Sequence, residues 1–222
     1  LCLHDLPVRL IANGGGVVYA PLGPTHLATE DLAILRALPN MTIIAPCDAE
    51  EMKRLMAETL DYPHPIYIRL AKGGDKVVSL EENGFTIGKA IVIKNPKDCL
   101  FVTTGVMTQV ALQACNILNQ ENISCGVMHM HTIKPLDNEA LNHWIPKVKS
   151  VVSVEEHTRI GGLGSAVLEF CSDAMPEQAS KIKRIGFPDR FADQYGNQNS
   201  LLNHWGITAE KLSETMRNSL NN

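Results

Sequence analysis

The sequence predicts an α/β protein built as two parallel-sheet units in series. Three observations carry that prediction. Short apolar runs alternate with stretches of helical periodicity along almost the whole length. The alternation weakens once, between about residues 71 and 96, where Gly, Asn and charged residues gather. The 222 residues are also enough for one large domain or two small ones.

Taken in order, Val8 to Ala12 reads as a buried strand followed by the Gly14-Gly15-Gly16 loop. Glu30 to Leu38 carries apolar residues at Leu32, Leu35 and Leu38, a short helix closed by Pro39-Asn40. Thr42 to Ala45 is the next strand, stopped at Pro46. Asp48 then caps a helix whose first turn holds Glu50 and Glu51, where the helix dipole favours acids. Its core face is Met52, Leu55, Met56 and Thr59, at i, i+3, i+4 and i+7. Ile66 to Leu70 completes a β-α-β-α-β pattern. The weak stretch follows, with Asn83-Gly84 placed to close a hairpin between Val77-Val78 and Phe85 to Ile87.

The alternation then restarts. Cys99 to Thr104 is a strand and Met107 to Asn119 a helix, with Met107, Val110, Ala111, Ala114 and Leu118 on one face. Ser124 to His129 is a strand, Asp137 to Trp144 a helix and Lys149 to Val154 a strand. Gly161-Gly162-Leu163-Gly164 leads into a helix from Ser165 to Met175, and Lys183 to Ile185 is a last strand. Thr208 caps an amphipathic helix running to Leu220. The expected domains are therefore 1–72 and 99–222, with 73–98 as linker.

Composition excludes several classes of function. An apolar content of 45% with 20% charged residues is that of an ordinary globular chain, not a disordered or fibrous one. No apolar run approaches the roughly 18 residues of a spanning helix. A net charge of −4, from 20 basic and 24 acidic residues, argues against a nucleic-acid partner held by general electrostatics. The six cysteines, at 2, 47, 99, 115, 125 and 171, form no CxxC pair and most sit in apolar segments, as buried thiols in a reducing compartment do. The opening Leu1-Cys2-Leu3-His4-Asp5 has an acid where a secretory signal would be basic, so a cytoplasmic location is expected. The chain is also hydrophobic from its first residue, which is Leu, so we expect it to be the later part of a longer polypeptide.

Four motifs carry candidate chemistry. Gly161-Gly162-Leu163-Gly164 stands between a strand and a helix, where backbone N–H groups can hold a phosphate. It does not match the G-x-G-x-x-G dinucleotide pattern, so close packing of helix on sheet is the plainer reading. Glu155-Glu156-His157 ends a strand, but adjacent residues there point in different directions and make no paired-carboxylate site by spacing alone. His129-Met130-His131 places two imidazoles on one strand face, yet no third or fourth ligand is spaced for zinc, and no metal site is expected. Gly23-Pro24-Thr25-His26 is the sharpest feature. It fixes a histidine on a loop at the end of a parallel strand, where open α/β sheets bind ligands and imidazole can exchange protons.

The stretch from Gly23-Pro24-Thr25-His26 through Arg36-Ala37-Leu38-Pro39-Asn40-Met41 to Ala45-Pro46-Cys47-Asp48 closely resembles the transketolase family. The resemblance continues through Pro65 to Arg69 and over the second unit, at Thr103-Thr104-Gly105, Val154-Glu155-Glu156-His157 and Gly186-Phe187-Pro188-Asp189-Arg190-Phe191. It implies the second half of the family's pyrimidine-binding domain followed by its three-layer C-terminal domain, with an active site at a dimer interface. The implied activity is transfer of a two-carbon ketol unit between sugar phosphates, using thiamine diphosphate and Mg2+ in the complete enzyme. The activating glutamate and the aromatics that embrace the pyrimidine lie upstream of these residues. The chain alone is therefore expected to bind no cofactor and to need an N-terminal section, fused or separate, in a homodimer or heterotetramer.

Residue by residue, His26 matches the family histidine that faces the donor's carbonyl and hydroxyl, a hydrogen-bonding and proton-transfer role. Arg69 matches the arginine that grips the substrate phosphate. Transketolases also carry a T-H-D triplet before this loop and an acid just ahead of its glycine. Asn13-Gly14-Gly15 and Leu22 stand there instead, which points to a branch with altered donor recognition. Within the family, 1-deoxyxylulose-5-phosphate synthase and the β chain of a 2-oxo acid dehydrogenase are the alternatives. A non-catalytic pairing module is the alternative of another class.

Overall fold

The computed structural model describes residues 1–221, which form two packed α/β layers joined along one seam. The first sheet contains β1 (Arg9–Asn13), β2 (Thr42–Ile44) and β3 (Ile66–Leu70), parallel to one another in the order β1-β3-β2. Helices α1 (Asp31–Arg36) and α2 (Ala49–Glu58) lie on its two faces. Side chains alternate along each strand, so Ile43, Tyr67 and Leu32 of α1 share one core while Ile44, Ile66, Ile68 and Leu55 of α2 share another. The α2 start forms as expected: the Asp48 carboxylate accepts from the Glu51 N–H at 2.9 Å.

The second sheet has the order β4-β6-β5-β8-β9, from β4 (Ile91–Lys94), β5 (Cys99–Thr103), β6 (Cys125–His129), β8 (Ser150–Thr158) and β9 (Ile182–Phe187). Helices α3 (Met107–Gln120) and α7 (Ala209–Leu220) cover one face, and α4 (Asn138–Trp144) and α5 (Leu163–Ala174) the other. Residues of β5 alternate between them: Cys99 and Phe101 face the α3–α7 core, Leu100 and Val102 the α4–α5 core. A further helix, α6 (Gln198–His204), capped by Asn197, is too short and polar to stand out in the sequence periodicity.

The sheets are mixed rather than purely parallel. β4 runs antiparallel to β6 at one edge of the second sheet. It lies inside the stretch expected to be linker, where Ile91-Val92-Ile93 pairs as an edge strand too short to dominate its polar surroundings. The Asn83-Gly84 hairpin does not form. Glu81–Asn83 is a 3-10 turn, and the Asn83 side chain accepts from the Leu80 N–H at 2.7 Å.

The two units are also less separate than their sequence suggests. Strand β7 (Thr132–Lys134) leaves β6 and pairs antiparallel with β2, becoming the fourth strand of the first sheet. Its Ile133 is buried in the α1-side core, and the Lys134 ammonium donates to the Arg36 and Leu38 carbonyls at the end of α1. Among the described residues no helix is long and apolar enough to cross a membrane. Ile133→Ala should lower stability by about 2–4 kcal/mol, the usual range for truncating a buried aliphatic residue. Denaturant unfolding followed by two probes checks it, with both units expected to unfold in one transition.

Candidate functional site

Parallel strands β1 and β3 leave the first sheet side by side, with Asn13 opposite Leu70. Their exit loops, 14–30 and 71–76, therefore lie at the carboxyl end of the sheet, the position open α/β folds use for ligands. His26 ends a 3-10 turn, Pro24–His26, and is exposed there, with Nδ1 3.0 Å from the Thr25 hydroxyl. Two features fix the turn. Gly23 has φ +81°, and the Tyr195 ring of the second unit lies so close that a Cβ on Gly23 would sit 2.5 Å from it.

Tyr19 and Lys72 complete this end of the sheet. Tyr19 packs on Gly14, its hydroxyl accepts from the Asn13 side-chain amide at 3.2 Å, and the Lys72 ammonium stands 5.8 Å from its ring centroid. Lys72 is exposed and borders a small cavity of about 200 Å³ shared with Asn13, Cys47, Asp48, Leu70 and Asp75. Sequence reasoning gave Tyr19 no role and named Lys72 only as the residue that left the register around Arg69 open. The Gly73-Gly74 pair after Lys72 was the available signal, since both adopt positive φ with open space around them.

Arg69 does not join this surface. It is only 7% exposed, and its Nε donates to the Asp31 carboxylate at 2.9 Å. One terminal nitrogen donates to the Ala28 carbonyl at 2.8 Å and the Glu156 carbonyl at 2.9 Å. A guanidinium committed in this way ties β3, α1 and β8 together. The phosphate-gripping role expected from sequence does not suit that position. The sequence register could not tell an inward residue at the end of β3 from the exposed lysine three residues on.

Glu155, Glu156 and His157 are all buried; Glu155 and His157 share one side of β8, with His157 Nδ1 3.7 Å from a Glu155 oxygen, and Glu156 points to the other. The Glu156 carboxylate accepts from the Val17 N–H at 2.8 Å and from the Gln198 amide at 3.0 Å. A Cβ on Gly16 would lie 2.3 Å from its carboxyl carbon, and one on Gly15 would lie 2.7 Å from the Arg69 chain. The triple glycine thus lets the β1 exit loop press against these two side chains. Glu155 accepts from the Leu163 and Gly164 N–H groups at 2.7 and 2.9 Å, at the start of α5. The Gly161–Gly164 loop therefore cradles an anion belonging to the protein itself. Burial pushes the Glu155 carboxyl up to about 7, against the pull of those two donors.

His157 donates from Nδ1 to the Thr158 carbonyl at 2.7 Å and accepts at Nε2 from the Ala33 N–H at 3.3 Å. It thereby satisfies a first-turn donor of α1 that no side-chain cap reaches. Burial, reinforced by the Arg69 charge, lowers its imidazole to about 4, so the ring is neutral as this bonding requires.

The described residues do not by themselves fit thiamine diphosphate. The cavity at the end of the first sheet is smaller than the roughly 300 Å³ of a typical cofactor site, and the acids Asp48 and Asp75 line it. On β1, at the sheet edge, Leu10 and Ile11 are both exposed, the latter by 52%, so neither face of that strand is fully covered.

Comparison with known proteins gives a consistent assignment. The family model for the transketolase pyrimidine-binding domain matches residues 1–74, and that for the transketolase C-terminal domain matches residues 88–212. The chain is 34% identical to one subunit of the apulose-4-phosphate transketolase of Phocaeicola vulgatus, across 94% of this chain and 65% of that protein. It is 35% identical to a putative transketolase C-terminal section of Methanocaldococcus jannaschii, with the same coverage. It is 33% identical to 1-deoxy-D-xylulose-5-phosphate synthase 2 of Geobacter sulfurreducens, over 98% of this chain but 35% of that enzyme. The chain thus spans about a third to two thirds of these relatives. Among solved structures, a split-gene transketolase described as an inactive β4 tetramer superposes with a TM-score of 0.89 at 34% identity, covering all of this chain and 69% of that one. A transketolase of Pichia stipitis shares the fold, with a TM-score of 0.78 at 19% identity over 99% of this chain and 31% of that one.

The seam can be probed at two of its side chains. Arg69→Met should cost about 2–4 kcal/mol, because it leaves the partly buried Asp31 carboxylate without its cation and only the Tyr67 hydroxyl as a partner. Thermal or denaturant unfolding reads that loss, and a stability close to wild type would count against the strut. For His157 the folded pKa lies below the ordinary value of 6.5, so the unfolded chain binds the extra proton. Its contribution is complete above about pH 6.5 and drains away as pH falls toward about 4. Over that window His157→Gln should flatten the stability–pH curve by up to about 1.4 kcal/mol per pH unit relative to wild type.

Proposed function

We propose that this chain, which belongs to the transketolase family, is the C-terminal section of an enzyme that moves a two-carbon ketol unit between sugar phosphates. Members of the family use thiamine diphosphate, and the residues that activate it belong to an N-terminal section, fused or separate. The observation that carries this reading is the uncovered strand β1 beside the His26 loop: a catalytic histidine presented next to an apolar edge that needs a partner. Of the relatives named above, one is a single subunit of its transketolase and another a C-terminal section, which supports a division of labour between two sections. A homodimer of fused chains or a heterotetramer of split ones satisfies the same geometry.

In this reading His26 faces the donor's reacting end. The Thr25 hydroxyl holds Nδ1, and Nε2 has no protein partner among the described residues, so it is free to exchange a proton with a substrate hydroxyl. Lys72, rather than Arg69, takes the substrate phosphate, since it is an exposed cation on the neighbouring exit loop and stands over the Tyr19 ring beside the strand ends. The Glu156–Arg69 strut holds both loops at their strand ends without touching substrate. Asn13, Gly14, Gly15 and Leu22 replace the polar residues of ordinary transketolases, which favours a donor recognised differently at its hydroxyls.

The isolated chain should turn over no ketose phosphate, and it should self-associate through its uncovered edge. Turnover assays and light scattering on the pure 222-residue protein test this, and robust activity would sink it. In the complete enzyme His26→Ala should lower kcat by roughly 10²–10⁴-fold with the fold intact by circular dichroism. Lys72→Ala should raise KM about ten-fold or more for phosphorylated substrates and leave unphosphorylated ones little changed.

A further inference from the structure

Away from the His26 surface, in the seam beneath α2, the histidines of the His129-Met130-His131 motif meet residues of the other unit. We propose that Cys47, Glu51 and His129 form a buried binding site for a zinc-like divalent transition metal that fastens the two units together. Their ligand atoms, one sulfur, one carboxylate oxygen and one imidazole nitrogen, all lie within 4.8 Å of one another, and all three residues are fully buried. A tetrahedral zinc with bonds of about 2.0–2.3 Å sets its donors about 3.3–3.8 Å apart. The site therefore needs to close slightly around the sulfur and to open the 2.8 Å contact between His129 Nε2 and Glu51.

The surroundings are already those of a metal site. The His129 Nδ1 is 2.9 Å from the Thr108 hydroxyl, which itself lies 2.9 Å from the Thr103 hydroxyl, a chain that fixes the ring with Nε2 toward Glu51. Glu51 is held in turn by the Cys47 N–H at 2.7 Å and the Ser79 hydroxyl at 3.2 Å. A second imidazole stands outside this group: the His131 ring centroid is 5.8 Å from that of His129, and its buried Nε2 has no hydrogen-bond partner among the described residues. The donor set of thiolate, carboxylate and imidazole suits Zn2+ and excludes Mg2+ or Ca2+, which take oxygen ligands.

Charge also balances. One thiolate and one carboxylate neutralise a divalent ion, so the occupied site carries no net charge into a low-dielectric seam. Binding releases the thiol proton and requires the hydrogen on His129 Nε2 to leave that nitrogen, with Nδ1 facing the Thr108 hydroxyl. Cys47 and Glu51 come from the connection around α2 and His129 from β6, so the ion would bridge the two units in a structural role.

The test uses the full chain together with any polypeptide that co-purifies with it. Elemental analysis should find about one zinc per chain. After unfolding in chelator and refolding with Co2+, a thiolate-to-cobalt charge-transfer band should appear, and the metal-loaded protein should melt at least about 5 °C above the metal-free one. The band should vanish in Cys47→Ser and persist in Cys171→Ser, a buried thiol elsewhere. Less than about a tenth of an equivalent of metal in wild type, with no band and no melting shift, would overturn the proposal and leave His129 and Glu51 as a simple hydrogen-bonded pair. A band that survives Cys47→Ser would overturn it as well. If Cys47→Ser does not fold, the wild-type cobalt spectrum and zinc content still decide.

Discussion

The buried carboxylate of Glu156 is the point on which the rest of the structure turns. From the end of β8 it accepts from the Val17 N–H of the other unit, while the Gln198 amide of α6, in its own unit, steadies it. Arg69 arrives from β3 and takes the carbonyl of the same residue. An isolated carboxylate placed there without these donors would be too costly to bury. Val17 lies on the loop that leads to His26, so this one contact sets the height at which the loop leaves the first sheet. The glycines at 15 and 16 are a consequence, since a side chain at either would collide with Arg69 or Glu156.

Glu155 and His157 repeat the device on either side. Each supplies a missing partner to a helix start, Glu155 to α5 and His157 to α1. Both helix starts lack side-chain caps of their own and borrow them from one strand end. The His157 cap crosses from one unit to the other, so it makes them interdependent in a way that apolar packing alone would not, whereas the Glu155 cap stays within the second unit. Strand β7 and its buried Ile133 add an apolar tie in the same direction.

This rigidity contrasts with β1. Its Leu10 and Ile11 remain uncovered while the loop beside it is clamped, so the His26 surface is prepared on one side and open on the other. Such a surface is what a section needs if its active site is finished by another section. The exposed Phe191, 80% accessible, stands on the Pro188-Asp189-Arg190 loop of the second unit and enlarges the apolar rim near Ile160.

Much of the fold was legible in the amino-acid order. Alternating apolar runs and helical periodicity are local properties, and they located β1, β2, β3, β5, β6, β8 and β9 and most of the helices, with caps at Asp48 and Thr208. The Gly23–His26 turn was legible too, because Gly-Pro chemistry fixes it within four residues. Pairing partners were not legible. That β4 and β7 are antiparallel edge strands and that β7 belongs to the opposite sheet are long-range facts, and that Gly161–Gly164 holds Glu155 depends on which way the end of β8 turns its side chains. Short strands carry too little periodicity to reveal them. Arg69 shows the limit most clearly: its residue type promises an anion, but only the packing of α1 and β8 around it decides that its partners are Asp31 and the backbone of Glu156. Sequence determined which residues could carry charge and chemistry. Tertiary structure decided which of them were turned inward to hold the protein together, because burial and partner geometry depend on residues far apart in the chain.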